Sequence, residues 1–265
     1  MSIGTQTEAA RGYSLGELMV AAAAREIRDE EMVFVGMRLP LLGFLLAKRT
    51  HAPKAIGLYE NGVIRNQPAR ELLYTMGDPP NIIGATWCGQ MMEVMGLLQQ
   101  GRVHVGFLGA AEVDRFGNLN STWGQHPATA ETIRLPGSGG GCDIACLAQR
   151  TVALLPHERH RLVERVSHLT SPGYGTGNAW RRMQGLPAGT GPSAIITTLG
   201  ILRFSTDGEA FLDSVHPGVR VEDVLGNTGW TLCVADQLAE TAPPSEQELA
   251  VMRELDPQGV WTKAA

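Results

Sequence analysis

The sequence predicts an α/β fold with an open, mainly parallel sheet that is flanked by helices and includes a few antiparallel strands. Short, almost wholly apolar runs recur along the chain, which is typical of strands buried on both faces. Segments with helical spacing separate these runs, so that strand–helix–strand units follow one another. The 265 residues are 43% hydrophobic, and they contain no linker-like segment and no internal repeat. We therefore predict a single domain over residues 1–265.

The first half of the chain alternates helices with strands. Ser14 and Glu17 form a capping-box pattern just before an apolar run of helical spacing. Arg25 and Arg28 fall near the end of that run, where cations complement the helix dipole. Pro40 suits the first turn of the next helix. The pattern predicts helices at 15–29, 39–53 and 90–100, and strands at 32–36, 55–60 and 103–109.

The second half of the chain is richer in strands. Leu199 and Gly200 separate two β-rich runs, which predicts a hairpin over 193–205. Residues 161–169 alternate apolar and polar side chains, which favours an edge or antiparallel strand. The Pro- and Gly-rich segment 171–192 is too long for a plain connection, so we expect it to be functional or to cover an interface. The remaining predicted elements are strands at 151–156 and 231–236 and helices at 221–229 and 245–255.

Charge and hydropathy exclude several classes of protein. The net charge is -5 and the sequence pI is about 5.8, so the chain lacks the basic surplus with which a dedicated nucleic-acid binder neutralises phosphates. No apolar run approaches the ~20 residues of a membrane span. The N-terminal segment 1–14 is polar and has no apolar core, which argues against a signal peptide. We therefore expect a cytoplasmic protein that binds neither nucleic acid nor membrane.

The cysteines and histidines form no pattern of metal ligands. Cys142 and Cys146 stand four residues apart, but no second pair and no nearby histidine completes a zinc set. The four cysteines are expected to be reduced and mostly buried thiols. His157 and His160 lie among arginines and are expected on a solvated, charged face. Because Ser171 also lacks the G-x-S-x-G context of a hydrolase, we predict neither a metal site nor a serine nucleophile.

Glu60 is the first candidate for chemistry. It directly follows an apolar strand and precedes Asn61 and Gly62, a pair that favours a left-handed turn. Ligands of open α/β sheets bind at the carboxyl ends of the strands, and a partly desolvated carboxylate there can act as a nucleophile or a general base. The alternative is an exposed glutamate in an ordinary turn, and the pattern alone leaves both interpretations open.

The glycine run Gly137–Gly141 is the second candidate. Its unhindered backbone N–H groups would form an anion or oxyanion site if a helix begins near Asp143. The run has neither the Lys-Ser/Thr end of a P-loop nor the spacing of a dinucleotide fingerprint, and a flexible surface turn is the alternative. A third polar loop holds Asp114, Asn118 and Asn120, whose side chains are expected chiefly to cap that loop.

These segments together resemble the β subunit of family I CoA-transferases, in particular that of the glutaconate CoA-transferases. The sequence YENG at 59–62, the pattern D-x-x-G-N-x-N at 114–120 and the run GSGGG at 137–141 occur in the family's order. The sequences HLTSPGYG at 168–175 and GLPAGTGP at 185–192 continue that order. The resemblance therefore covers nearly the whole chain and implies the family's fold.

The resemblance also implies a mechanism and a set of site residues. In the family the glutamate of the E-N-G segment attacks an acyl-CoA, and CoA is then carried as a glutamyl-CoA thioester in a ping-pong reaction; that glutamate corresponds to Glu60. The coenzyme A thioester is a substrate, and no cofactor is implied to be bound permanently. The remaining residues implied to bind CoA or the oxyanion, or to shape the turn, are Asn61, Gly62, Ser138, Gly139 and Gly140.

A partner is implied as well, because the family pairs this type of chain with an α subunit of similar fold and places the site between them. We expect a hetero-oligomer of α2β2 or larger composition that acts on an acyl-CoA and a carboxylic acid. Tyr59 stands where the family often has serine, and Met37 and Arg38 replace smaller residues, so the acyl group is not assigned. Two alternatives remain: a CoA-thioester hydrolase or C–C bond-cleaving enzyme of the same fold, and a non-catalytic supporting subunit or ligand-sensing module.

Overall fold

The structure is a computed structural model that describes most of the chain, namely residues 11–125, 129, 131–177 and 179–263. The chain divides into two compact units. The first unit comprises Gly4–Phe107 with Ala242–Ala265, and the second comprises Leu108–Thr241 with Met1–Ile3. The prediction of one domain over residues 1–265 stays a prediction. Most of the polar segment that argues against a signal peptide, residues 1–10, lies outside the described residues.

The first unit contains helices and strands in near-alternation, as its apolar periodicity predicts. Its helices are α1 (Leu15–Arg25), α2 (Leu39–Arg49), α3 (Pro79–Ile82), α4 (Met91–Gln99) and α8 (Glu246–Leu255). Its strands are β1 (Met32–Phe34), β2 (Ile56–Leu58), β3 (Val63–Arg65), β4 (Trp87–Cys88) and β5 (Val105–Gly109), of which β5 runs across the boundary of the unit.

The core of the first unit is built around α1, whose residues 16–24 are all buried. The predicted capping box is present: the Glu17 N–H donates to Oγ of Ser14 at 3.1 Å, and the Ser14 N–H donates to the Glu17 carboxylate at 2.7 Å. A Cβ added to Gly43 of α2 would lie 3.1 Å from Cβ of Ala23, so small residues let the two helices approach closely. Because α1 carries apolar residues around most of its circumference, it must be covered by other elements on nearly every side.

The strands of the first unit follow the order β5-β1-β2-β3-β4. β1 pairs in parallel with both β2 and β5, whereas β3 and β4 run antiparallel to their neighbours. The β2–β3 turn therefore lies at the carboxyl end of a strand that belongs to the parallel part of the sheet. This edge is where α/β sheets bind ligands.

The second unit is dominated by strands. Its helices are α5 (Gly141–Leu147), α6 (Trp180–Met183) and α7 (Val221–Gly226). Its strands are β6 (Glu112–Asp114), β7 (Leu119–Asn120), β8 (Trp123–Gln125), β9 (Thr132–Arg134), β10 (Arg150–Leu155), β11 (Leu162–Val163), β12 (Pro192–Thr197), β13 (Gly200–Phe204), β14 (Ala210–Val215) and β15 (Cys233–Glu240).

Three groups of strands pair within the second unit. The largest has the order β15-β14-β13-β12-β10, and the smaller ones are β11-β6-β7 and β8-β9. Two pairs of the largest group are parallel, β10 with β12 and β14 with β15. The other two, β12 with β13 and β13 with β14, are antiparallel. The hairpin predicted at Leu199 and Gly200 is thus present. The predicted fold class, an α/β fold with a mainly parallel sheet flanked by helices, is confirmed.

One sequence prediction in the second unit holds only in part, and another is wrong. The segment 161–169 was expected to form an edge or antiparallel strand; Leu162–Val163 is an edge strand, but it pairs in parallel with β6, and residues 164–169 are not part of it. His157 was expected on a solvated face with His160, but only 4% of His157 is exposed. Its ring nitrogens lie 2.9 Å from Oγ1 of Thr197 and 3.0 Å from Oγ1 of Thr228, which satisfies the buried imidazole.

The cysteines are all unpaired, as expected, but the prediction that they are mostly buried is wrong. Cys88 and Cys233 are exposed, and Cys142 and Cys146 are half-buried. Cys88 and Cys233 are exposed because they belong to β4 and β15, which are edge strands with mostly exposed residues. Within the described part of the chain, no helix has the length and apolar character that crossing a membrane requires.

Candidate active site

Glu60 lies in a four-residue turn that connects β2 to β3. The Gly62 N–H donates to the Tyr59 carbonyl at 2.9 Å, and the Tyr59 N–H donates to the Val63 carbonyl, also at 2.9 Å. Glu60 is half-buried. The turn therefore presents a carboxylate, partly shielded from water, at the carboxyl end of a parallel strand, which is one of the two positions that the sequence left open.

The neighbours of Glu60 fix the path of this turn. Gly62 has φ +99°, a conformation that side chains rarely adopt, and a Cβ there would lie 2.4 Å from the carbonyl oxygen of Gly89. The Asn61 side chain accepts from the Val63 N–H at 3.4 Å and donates to the Met76 carbonyl at 2.7 Å. The backbone of the turn is thus held on both sides, by Asn61 and by the contact of Gly62 with Gly89.

Tyr59 anchors the turn in the core. The residue is fully buried, none of the described residues hydrogen-bonds to its hydroxyl, and burial raises the pKa of Tyr59. Arg65, at the end of β3, is 3% exposed, and burial lowers the pKa of its guanidinium. This guanidinium donates to the backbone carbonyls of Gln67, Pro68, Pro80, Asn81 and Ile83. Arg65 therefore holds the irregular segment 67–83 against the strand that follows the turn.

Exposed apolar side chains are concentrated beside this turn. β4 pairs with β3 in a register that sets Cys88 opposite Val63 and Trp87 opposite Ile64, and the Gly89 N–H donates to the Gly62 carbonyl. We refer to residues 74–92 as the apolar segment. Its large exposed side chains are Tyr74, Ile82, Ile83, Trp87, Met91 and Met92. Concentrations of exposed apolar surface mark sites of protein or ligand binding.

The candidate residues Ser138, Gly139 and Gly140 lie in a second tight turn. The Gly141 N–H donates to the Ser138 carbonyl at 2.7 Å, and Gly139 has φ +47°. Ser138 and Gly139 are exposed, whereas Gly140 is buried and caps α5. The helix begins at Gly141, two residues earlier than the expected start near Asp143, because the glycine run itself enters the first turn.

The polar loop at Asp114–Asn120 is structural, in agreement with the expectation that its side chains cap the loop. The Asp114 carboxylate accepts from the Phe116 and Asn118 N–H groups at 3.0 and 3.1 Å and from the Asn118 side chain at 3.0 Å. Burial raises the pKa of Asp114. Oδ1 of Asn120 accepts from the Thr122 N–H at 3.0 Å. These side chains are occupied by hydrogen bonds within the loop and to neighbouring segments of the same unit.

The six candidate residues thus form two groups of three. Glu60, Asn61 and Gly62 share one turn in the first unit, and Ser138, Gly139 and Gly140 share another in the second unit. The roles of Arg65 and Gly89 were not predicted from the sequence. The only local signal for Arg65 is a charged residue at the end of a short apolar strand, and arginines are rarely buried without partners. Gly89 carries no comparable local signal.

A carboxylate at the carboxyl end of a parallel strand and a glycine-rich turn at the start of a helix define a ligand-binding protein of the α/β class. The family model for Coenzyme A transferase matches residues 17–227. The chain accordingly belongs to the coenzyme A transferase family, which confirms the resemblance found in the sequence.

Curated relatives and solved structures agree with this assignment. The chain is 40% identical to the B subunit of 3-oxoadipate CoA-transferase from Pseudomonas knackmussii, over 92% of this chain and 94% of that protein. It is 32% identical to the B subunit of glutaconate CoA-transferase from Acidaminococcus fermentans, over 92% and 93% of the two proteins. A crystal structure of that glutaconate CoA-transferase matches with a TM-score of 0.87 and 30% identity, covering 95% of this chain and 98% of that chain.

Proposed function

We propose that the chain is the β subunit of an acyl-CoA:carboxylate CoA-transferase in which Glu60 is the covalent nucleophile. The observation that carries this proposal is the turn at residues 59–62, which holds a half-buried carboxylate at the ligand-binding edge of a parallel sheet. Family membership supports the reaction type.

The proposed reaction transfers CoA in two symmetrical halves. The Glu60 carboxylate attacks the thioester carbonyl of an acyl-CoA and the C–S bond breaks. CoA departs as the thiolate, and the acyl group remains bound to Glu60 as a mixed anhydride. The thiolate attacks the Glu60 carbonyl carbon, the C–O bond to the acyl group breaks, and the first carboxylate departs. Glu60 then carries CoA as a thioester. A second carboxylate reverses both steps, takes the CoA, and regenerates Glu60 without consuming water.

A carboxylate is a weak nucleophile, so this scheme requires close positioning and stabilisation of negative charge on the attacked oxygen. We assign the positioning of Glu60 to Asn61 and Gly62, which shape its turn. The backbone N–H groups of Gly139 and Gly140 are the proposed donors to the oxyanion. Ser138, which precedes them, is proposed to contact CoA. The exposure of Ser138 and Gly139 supports access by a ligand to this turn.

The proposal includes an α-type CoA-transferase subunit as partner, in a hetero-oligomer of α2β2 or larger composition. Two observations support it. The relatives are named as B subunits, which implies a second chain. The exposed side chains of the apolar segment stand beside the Glu60 turn, where a partner would remove them from water. A cytoplasmic location is also part of the proposal, and four unpaired thiols support a reducing compartment.

The decisive experiment traps the covalent intermediate. The chain is produced together with an α-type CoA-transferase subunit, incubated with an acyl-CoA, treated with borohydride, and analysed by peptide mass mapping. We expect Glu60 to be converted to the alcohol, because borohydride reduces a thioester and leaves a carboxylate intact. Glu60→Gln is expected to abolish the adduct and to lower CoA transfer at least about 100-fold.

The matched control is Glu71→Gln, which changes an exposed glutamate of the same unit and is expected to keep full activity. Steady release of free CoA without an adduct would favour a thioester hydrolase instead. Full CoA transfer by the Glu60→Gln complex would exclude Glu60 as the nucleophile and favour a supporting role for this chain.

A further inference from the structure

The second unit contains a cavity of about 480 Å³ that the proposed covalent chemistry does not use. All the residues that line it belong to that unit. Its volume falls in the ordinary range of small-molecule sites. We refer to it as the 165–180 pocket, after the two loops that form its walls. Its lining includes Asp114, Asn118, Arg165, His168, Thr176 and Trp180.

The base of this pocket is rigid and its polar groups are occupied. The Asn118 side chain donates to the Asp114 carboxylate at 3.0 Å and to the Gly175 carbonyl at 2.7 Å. Its carbonyl oxygen accepts from the Gly173 and Gly175 N–H groups at 2.9 and 3.1 Å. Asp114 is 1% exposed, so the carboxylate is shielded from a ligand. This part of the lining therefore shapes the pocket, and the Asp114 carboxylate is engaged by donors of the protein itself.

One wall of the pocket is aromatic. A Cβ added to Gly175 would lie 2.0 Å from the indole ring of Trp180, so the ring packs directly on the backbone at Gly175. Trp180 is half-buried and lines the pocket. An indole held in place in this way offers a preformed surface on which a flat heteroaromatic ring can stack.

Two other lining residues supply positive charge. Arg165 and His168 are exposed and line the pocket, and neither forms an ion pair with a described acidic side chain. Two other arginines of this unit, by contrast, form ion pairs: Arg115 pairs with Glu164, and Arg161 pairs with Glu158. Thr176, also exposed, adds a hydroxyl. An unpaired guanidinium beside an imidazole and a hydroxyl is suited to bind phosphate.

We propose that the 165–180 pocket binds the nucleotide end of the CoA thioester, with the adenine ring stacked on Trp180 and a phosphate held by Arg165 and His168. This inference rests on the proposed function and extends it to the part of the substrate that does not react. Binding energy from such a remote group can be used to position the reacting centre.

The pocket is also tied to the glycine-rich turn within the same unit. Arg181 donates to the Gly173 carbonyl at 3.0 Å, and to the Ala145 and Cys146 carbonyls of α5 at 3.1 Å each. A Cβ on Gly141 would lie 3.3 Å from Oγ of Ser171. A nucleotide anchored in the pocket is therefore held in a fixed relation to the turn that carries the proposed oxyanion donors.

The kinetic test compares an acyl-CoA with the matching acyl-pantetheine thioester, which lacks the nucleotide, in the complete complex. For the double variant Arg165→Gln, His168→Gln, we expect the KM for acyl-CoA to rise about 10-fold with little change in kcat. A rise of about 10-fold corresponds to the loss of one charge-assisted hydrogen bond to phosphate. The KM for acyl-pantetheine should not change. Arg182→Gln, an exposed residue of α6 that does not line the pocket, should behave as wild type.

Equal effects on both substrates, or no effect on either, would overturn the proposal. A binding test then separates its failure from that of the proposed function. Adenosine 3′,5′-bisphosphate is titrated into the complex, and we expect saturable quenching of tryptophan fluorescence that is lost in Trp180→Phe and weakened in the double variant. Quenching without any CoA transfer would refute the proposed function alone. CoA transfer without nucleotide binding would refute the pocket alone.

Discussion

A Cβ on Gly62 would lie 2.4 Å from the carbonyl oxygen of Gly89, and the Gly89 N–H donates to the Gly62 carbonyl at 3.0 Å. The turn that presents Glu60 and the residue that follows β4 are therefore in direct backbone contact, with no space for a side chain between them. Because this contact sets the path of the turn, it also sets where the Glu60 carboxylate lies.

Gly62→Ala is expected to displace the Glu60 turn. The new methyl group meets the Gly89 backbone, and φ +99° is unfavourable for alanine, so we expect a loss of about 2–4 kcal/mol in the free energy of unfolding. CoA transfer should fall about 100-fold, since geometry controls attack by a weak nucleophile. Urea denaturation and steady-state kinetics measure the two effects.

The control for this variant is Gly101→Ala, which has φ +67° but no atom within 4 Å of the added Cβ. It should lose only about 1 kcal/mol from backbone strain and keep its activity. If the two variants were equally stable and equally active, the contact with Gly89 would have no part in shaping the site.

Tyr59→Phe is expected to leave the fold intact and to raise the free energy of unfolding by about 1 kcal/mol. The change removes a fully buried hydroxyl to which no described residue hydrogen-bonds, and burying such a group is unfavourable. The free energy of unfolding from urea denaturation provides the measurement. A loss of stability would show that the hydroxyl has a partner in the folded protein.

The stability of the protein should depend on pH through His157. Burial lowers the pKa of His157 to about 4, whereas an unfolded histidine titrates near 6.5. Between these values the unfolded chain binds more protons, so this residue's contribution to stability is complete above pH ~6.5 and is lost as the pH falls through ~4. The shift corresponds to a decrease of about 3 kcal/mol in the free energy of unfolding over this window.

His157→Asn should make the free energy of unfolding less dependent on pH between about 4 and 6.5. It should also lower stability at neutral pH, because two hydroxyl partners lose the imidazole. His160→Asn, at an exposed histidine, should retain the wild-type slope. Equal slopes for the wild type and His157→Asn would rule out His157 as the titrating group.

Arg181→Met is expected to lower the free energy of unfolding by about 3 kcal/mol. The guanidinium is 6% exposed and donates to the Gly173 and Ala145 carbonyls and to Oγ1 of Thr190, which would all lose a charged donor. Arg182→Met, at the exposed neighbouring position, should change stability by less than about 0.5 kcal/mol. Chemical denaturation of both variants tests this difference, and similar losses would contradict it.

Features that depend on neighbouring residues in the chain could be predicted from the sequence. The presence of a turn at Glu60, though not its exact path, follows from a strand end and the pair Asn61 and Gly62. The helix starts at Ser14 and Ser245 follow from capping boxes whose two partners stand three residues apart. Such signals are complete within one turn of backbone, so they do not require knowledge of the tertiary fold.

Features that depend on distant residues could not be predicted in this way. His157 is buried because Thr197 and Thr228 bond its ring from other parts of the chain. The parallel pairing of Leu162–Val163 with β6 is not encoded by alternation, since a period of two fixes the faces of a strand but neither its partner nor its direction. The contact of Gly89 with Gly62 likewise joins residues that are distant in the sequence, so no local pattern predicts it.

The guanidinium of Arg65 organises the segment 67–83 through backbone carbonyls alone. Carbonyl groups are common to every amino acid, so this anchoring does not depend on which side chains stand at the five accepting positions. Under the proposed function, exposed side chains of this segment can therefore change without loss of the contacts by which Arg65 holds its backbone to the strand that follows Glu60. The surface of the segment can diversify among homologues while this anchor is kept.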